Sequence, residues 1–473
     1  MENSMATATS SPWSLEKLSK EETIHLRKKH LSHNLALFFD SDPVKIVRAS
    51  GQYMYDEDGN QYLDCINNVC HVGHCHPDVV KAGAEQMATL STNSRYLHDN
   101  IVILAEKIAQ TLPGKLDTCF FANSGSEAND LALRLANAYT GKSGIIALDQ
   151  GYHGHVASLM DVNPYYKHHY GSDLGEKTYI APSPNTYSGK YRDCDYSKNE
   201  ILLNYLADVD AKIRECQQSG HGVSAFLAET LQSCGGQVVA PSGFFKDAYK
   251  RIREAGGLCI ADEVQVGFGR VGKKMWAFEL YDVIPDIVTM GKPMGNGHPI
   301  SAVVTTREIA DKFTIHYFNT FGGNPVSCAI GLAVLDVIHK ENLLQHAVDI
   351  GEYLMMKLGQ LKDKHDIIGD FRVVGMFAGI ELVKDRDTRE PATQEAKYIL
   401  KRMKENLILI STDGPGMNVL KFKPPMCFNK ANVNRLCTQL DYVFSDLEKN
   451  PLIPNVSISK SDGIKKFKCQ TEK

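Results

Sequence analysis

The chain has 473 residues, 43% hydrophobic, 23% charged and 8% aromatic, proportions that suit an ordinary globular enzyme of about two to four structural units. Its 52 Lys and Arg against 56 Asp and Glu leave a formal charge of −4, with none of the basic excess that attracts nucleic acid or an anionic membrane. The most apolar run, residues 327–338, is broken by Asp336 and falls short of the ~20 apolar residues a membrane-crossing helix needs. The 12 cysteines form no C-x-x-C pair, and several, such as Cys119 and Cys259, sit inside apolar runs, which is the usage of reduced thiols in an intracellular protein.

Residues 1–13 are rich in Ser, Thr and Ala and contain no Arg, so they lack a secretory apolar core and match a transit peptide poorly. Residues 52–65 predict a hairpin turning at Asp58, Gly59 and Asn60. Cys70, His71, His74, Cys75 and His76 follow with a metal-like density, but no second ligand pair accompanies them, and they read as a Gly/His turn with no metal. Apolar strand-like runs at 145–149, 225–229, 258–264, 286–290 and 301–306 then alternate with helical segments, of which 244–255, stopped by Gly256 and Gly257, is the clearest. Continuous apolar runs predict strands buried on both faces, hence an α/β fold with a mostly parallel sheet. A long helical pattern from 325 to about 365, strands at 373–382, 407–411 and 419–422, and a helix at 394–406 predict a smaller α+β domain, which the 52–65 hairpin could join. The expected organisation is an N-terminal segment (1–40), a first piece of the small domain (41–80), a large domain (81–325), the rest of the small domain (326–450) and a disordered tail (451–473).

Three runs carry chemistry. Lys292 follows an apolar strand and precedes a Gly/Pro-rich loop, a placement that desolvates an amine and makes it nucleophilic. Asp262 sits between Ile260 and Val264, where a carboxylate requires a basic or hydrogen-bonding partner. The run Asn123-Ser-Gly-Ser-Glu-Ala-Asn-Asp130 links a strand to a helix; the free N–H groups at such a junction bind phosphate, although Ser124 or Ser126 with Glu127 would also make an ordinary capped helix. Gly267-Phe-Gly-Arg-Val-Gly272 matches G-x-G-x-x-G, but no helix follows and no acidic residue stands about 20 positions on, so a dinucleotide site is not expected.

Together with Gly73-His-Cys-His-Pro77, Tyr152-His-Gly154, Asp262-Glu-Val-Gln265 and Thr320-Phe-Gly-Gly-Asn-Pro325, these runs resemble the class III (ornithine-type) aminotransferases, pyridoxal phosphate enzymes of fold type I. The likeness spans residues 40 to 445. It implies that Lys292 carries the cofactor covalently, that Asp262 pairs with its ring nitrogen, and that Ser124, Gly125 and Ser126 hold its phosphate. Tyr152 would stack on the ring, Gln265 would face the ring hydroxyl, and Glu229 would lie close by. Thr320 would reach the phosphate bound in a neighbouring subunit, implying a homodimer or dimer of dimers with shared sites.

The family usually places an arginine before its Pro-Pro motif to clamp the substrate carboxylate, whereas this chain has Leu420-Lys-Phe-Lys-Pro-Pro425. Lysine cannot reproduce the bidentate fork. The departure resembles the phospho-lyase branch of the family and implies a small phosphorylated amine as substrate. Ethanolamine phosphate is favoured, with phosphohydroxylysine or an alanine-glyoxylate transamination as alternatives. Arg95, Lys421 and Lys423, with Tyr187 and Lys190, are the candidates for binding the substrate phosphate. The resemblance also favours the mitochondrial matrix over the cytosol.

Overall fold

The structure is a computed structural model that describes residues 15–452; the readings made above for residues 1–13 and for the tail beyond 452 lie outside the described residues. Seven strands form the central sheet in the order Thr118–Ala122, Ser301–Thr305, Ile287–Met290, Leu258–Asp262, Val223–Ala228, Gly144–Leu148 and Thr178–Ala181. The last five are parallel, whereas Ser301–Thr305 is antiparallel to both of its neighbours. Ile146, Phe226, Cys259 and Val288 face one core, shared with helices Lys198–Gln218 and Phe244–Glu254. Ile145, Leu227, Ile260 and Ile287 face the other, against helix Gly125–Thr140. Alternate residues of each strand are therefore covered from opposite sides, which is why the strands read as unbroken apolar runs.

This strand order decides where a site can form. Two successive antiparallel pairings return Thr118–Ala122 to the direction of the parallel strands. The carboxyl ends of five strands, after Ala122, Leu148, Ala228, Asp262 and Met290, consequently open on one edge of the sheet. Open α/β sheets bind ligands at that edge.

Two four-stranded sheets lie outside the large one. Ile46–Ser50, Tyr53–Asp56 and Gln61–Asp64 form an antiparallel unit that adds Ile408–Leu409 in parallel, pairing Leu63 with Ile408. Ile368–Val374, Phe377–Leu382, Val419–Phe422 and Ser411–Asp413 form the other, all antiparallel. Three expectations are corrected here. The helical pattern from 325 is two helices, Pro325–Lys340 and Leu343–Lys364, separated where Asn342 takes φ 49°. The 373–382 run is the turn and second arm of a hairpin, because Gly375 adopts φ 57° and a Cβ there would lie 2.5 Å from the Val271 carbonyl carbon. The 407–411 run is shared between the two sheets. Among the described residues no helix is long and apolar enough to cross a membrane.

Candidate active site

At the sheet edge, Val69, Ser124, Gly125, Tyr152, Asp262, Val264, Gln265, Lys292 and Ile300 line a cavity of about 300 Å3. Asp262 ends its strand and is fully buried. Its Oδ2 accepts hydrogen bonds from Asn129 Nδ2 and His153 Nδ1, both at 2.8 Å, and its Oδ1 accepts from the Val264 N–H at 3.2 Å. Asn129 is itself fixed, donating to the His153 carbonyl and accepting from Thr289 Oγ1 at 2.7 Å. The basic partner that a buried carboxylate demands is thus His153. Neither Asn129 nor His153 stands out as functional in the sequence; the only signal is that each lies within a run already singled out.

Ser124 caps helix Gly125–Thr140, its Oγ accepting from the Glu127 N–H at 3.2 Å while Glu127 Oε2 accepts from the N–H groups of Asn123 and Ser124. The capping and phosphate-binding readings are compatible. Among the described residues no hydrogen bond engages the N–H groups of Gly125 and Ser126 at the positive end of this 16-residue helix, where an anion is stabilised. Gly125 is required for the approach, since a Cβ there would stand 2.8 Å from Val264 Cγ1.

Lys292 begins a short 3-10 turn after strand Ile287–Met290. Its side chain lines the cavity and makes no hydrogen bond among the described residues. Burial lowers its pKa, partly opposed by the neighbouring Cys234, Asp262 and Glu229, a direction that favours the nucleophilic free amine. Glu229 is buried, accepts from the N–H groups of Tyr152 at 3.2 Å and Ser233 at 3.1 Å, and has its carboxyl pushed up by burial. The Tyr152 ring packs 5.6 Å from that of Tyr165.

A profile of the aminotransferase class-III family matches residues 39–444. The chain belongs to this family. An alanine–glyoxylate aminotransferase 2-like protein of Drosophila melanogaster is 53% identical over 424 residues, covering 89% of this chain and 86% of the relative. Ethanolamine-phosphate phospho-lyase homolog 1 of Caenorhabditis elegans is 49% identical, covering 90% and 94%. A solved phospholyase from Arthrobacter, in complex with phosphoethanolamine, superposes with a TM-score of 0.85 at 39% identity, covering 90% of this chain and all of the other.

Class III aminotransferases use pyridoxal phosphate, and this cavity suits it. Two unpartnered N–H groups at a helix start match the phosphate, a buried carboxylate held by two side-chain donors matches the ring nitrogen, and a desolvated lysine matches the aldehyde. Gln265 lines the cavity while its Oε1 accepts from Asn68 Nδ2 at 3.0 Å and Lys423 Nζ at 2.7 Å. Lys423 is buried and also donates to Ser233 Oγ, whereas Lys421 pairs with Asp413.

The remaining expected residues lie elsewhere in this class III chain. Arg95 is exposed, its guanidinium 4.2 Å above the Phe318 ring. Lys190 is drawn to Asp208 at the surface, 2.8 Å away, and the Tyr187 ring is covered by Arg389. None of these three lines the cavity. Thr320 is exposed and lines an adjoining cavity that shares Asn123, His298 and Pro299 with the first. The sequence's other two suggestive runs meet in the core. Arg270 Nη2 donates to His71 Nδ1 at 3.2 Å, and His71 Nε2 donates to the Phe268 carbonyl at 2.7 Å. The remaining histidines of the 70–76 run are also engaged, His74 on Asp64 and His76 on Glu341.

Proposed function

We propose that this chain is a pyridoxal-phosphate-dependent phospho-lyase that converts ethanolamine phosphate and water to acetaldehyde, ammonia and phosphate. The observation that carries this reading is the charge arrangement behind the cavity. No arginine lines it among the described residues, and although neither lysine lines it, the buried Lys423 donates to Gln265 of its wall while the half-buried Lys421 acts electrostatically on Lys292. A carboxylate therefore has no bidentate clamp there, and the amines a phosphate could draw on are those of these two lysines, one of which has no carboxylate partner among the described residues. The phosphoethanolamine complex of the Arthrobacter phospholyase and the name of the nematode relative support the same substrate class.

When bound, pyridoxal phosphate supplies an electron sink for the pair left as a carbon–hydrogen bond breaks. Asp262, already positioned by Asn129 and His153, keeps the proton on the ring nitrogen. The N–H groups of Gly125 and Ser126, with the Ser124 cap, bind the cofactor phosphate. Tyr152 and Val264 would enclose the ring and Gln265 would serve its hydroxyl, while Glu229 anchors the Tyr152 backbone. Thr320, on the exposed rim, serves the cofactor phosphate of a second subunit in a homodimer or dimer of dimers. Lys292, with its amine free, would remove the proton from the amine-bearing carbon, a general-base role worth about 10²–10⁴ in rate. Phosphate then leaves from the adjacent carbon, and water hydrolyses the unsaturated amine. We read residues 81–325 as the cofactor domain and 41–80 with 326–450 as the smaller one, a division supported by the Leu63–Ile408 pairing.

The test is phosphate release measured side by side on phosphoethanolamine, phosphohydroxylysine and an alanine/glyoxylate pair. Release from phosphoethanolamine is expected. Pyruvate formation from alanine and glyoxylate without any phosphate release would instead make the chain a transaminase.

A further inference from the structure

Lys421 and Lys423 project from one segment but are not equivalently partnered. Lys421 Nζ is paired with Asp413; burial works against its charge, but the charge and hydrogen bond of Asp413 together with Cys234 and Glu229 raise the lysine's pKa. Lys423 is 2% exposed, and its Nζ meets only neutral acceptors, Ser233 Oγ at 2.5 Å and Gln265 Oε1 at 2.7 Å. Among the described residues it forms no ion pair with a carboxylate. A buried ammonium without a counter-charge is costly, and it is relieved either by loss of the proton or by arrival of an anion.

The surroundings favour loss of the proton while the site is empty of anion. Burial first, with the neighbouring Lys421 next, drives the Lys423 pKa well below that of an ordinary lysine. The groups facing it are Lys421 on its own segment, Asp413 on the neighbouring strand, Ser233 and Cys234 on the loop after Val223–Ala228, Gln265 after Leu258–Asp262, and Lys292. Asp413 opposes the shift but is spent on Lys421, and the Cys234 thiol is itself pushed up to about 12 by burial.

We propose that Lys423 is the proton-coupled element of the substrate-phosphate subsite: a buried amine without a counter-charge that draws a proton from solvent when a phosphate dianion docks beside it. No covalent bond is made or broken. The ammonium that forms keeps its bonds to Ser233 and Gln265 and turns its third N–H to the phosphate. Gln265 also lines the cofactor cavity, so the protonated lysine joins the substrate's anionic end to the ring environment. This rests on the phospho-lyase reading above.

The probe is inorganic phosphate titrated into the holoenzyme, whose cofactor cradle is already filled. Calorimetry in two buffers of different ionisation heat, at about pH 8.5 where phosphate is already dianionic, reads the proton balance. Uptake of about one proton per phosphate bound is expected from linkage. Lys423→Arg, permanently charged, is expected to bind phosphate with uptake near zero; if that variant does not fold, Lys423→Gln serves with the same expectation of no uptake. Binding to the wild type without proton uptake, uptake retained in the variant, or no phosphate binding to the holoenzyme each overturns the proposal. Phosphate release from phosphoethanolamine is assayed on the same wild-type sample. Release without uptake sinks the proton coupling alone, whereas uptake without release sinks the phospho-lyase reading.

Discussion

Asp262 and His153 meet in the core through a 2.8 Å bond between Oδ2 and Nδ1. His153 Nε2 is buried and has no partner among the described residues, so the ring is held in place by its Nδ1 contact and its packing. The pair sets the direction of the carboxylate that faces the cavity. Replacing Asp262 by Ala should lower turnover at least as much as loss of a charge-assisted bond, about 1.5–3 kcal/mol or roughly 10- to 150-fold. His153→Phe should weaken cofactor retention about tenfold, the effect of one lost hydrogen bond. Absorbance titration with pyridoxal phosphate checks both, and unchanged affinity in His153→Phe would show that the bond does not orient Asp262.

Lys292 sits at the end of a buried strand with a depressed pKa. Lys292→Ala should abolish the visible band of the covalently held cofactor and reduce phosphate release by about 10²–10⁴ or more. Survival of both the band and the turnover would remove Lys292 from the reaction.

At Gly125 the helix start passes so close to Val264 that a methyl group would stand 2.8 Å from Cγ1. Gly125→Ala should therefore displace the turn that offers its N–H groups, costing about 1–3 kcal/mol of stability through overpacking. Holoenzyme of this variant should lose cofactor on dialysis under conditions where the wild type retains it. Ala at Gly59, where nothing lies within 4 Å but φ is +85°, should leave cofactor retention unchanged.

His74 Nε2 lies 2.7 Å from Asp64 Oδ2. Burial disfavours its charge, but the hydrogen bonds to Asp64 and Cys70 outweigh burial and push its pKa up to about 9. The folded value exceeds the unfolded one of about 6.5. This contribution to stability is therefore complete below about pH 6.5 and disappears as pH rises through about 9. Thermal unfolding of the wild type should lose about 2 kcal/mol across that window, allowing for the solvent that reaches the ring. His74→Gln should be less stable at pH 6 and nearly flat over the same range. Parallel curves for the two proteins would exclude the His74–Asp64 pair as the source.

Arg270 is fully buried and donates to the carbonyls of Met376 and Pro424 and to His71 Nδ1. Burial lowers its pKa to about 9 and that of His71 to about 3, so His71 stays neutral and can accept. Arg270→Ala leaves three buried acceptors unpaired and should destabilise the fold by about 3–5 kcal/mol, judged from about 1–3 kcal/mol for each unsatisfied buried group. Urea unfolding measures it. A loss below about 1 kcal/mol would mean that water replaces the guanidinium.

Much of the site was legible because its signals are local. The apolar run before Lys292 announces a buried strand end, and Ser124 with Glu127 announces a helix start. Asn129 and His153 were not legible as partners of Asp262, because they lie 133 and 109 positions away from it in the chain and meet it only through strand order. The 373–382 and 407–411 runs were misread for a related reason. Apolar periodicity reports burial, but the break at Gly375 answers to a contact with Val271, and the division of 407–411 answers to two different partner strands.

By itself the sequence determined the class of fold and, through the resemblance its motifs carry, the family, and it pointed to the lysine and carboxylate that line the cavity. These follow from composition and from residues close in the chain, where propensity and burial act directly. Only the tertiary structure decided that Arg95 and Lys190 are engaged elsewhere, that His71 and Arg270 are core partners, and that of two neighbouring lysines Lys421 has a carboxylate while Lys423 has none. The physical reason is that the state of a buried charge depends on which distant groups share its enclosure. Strand order and register set that, and no local pattern encodes them.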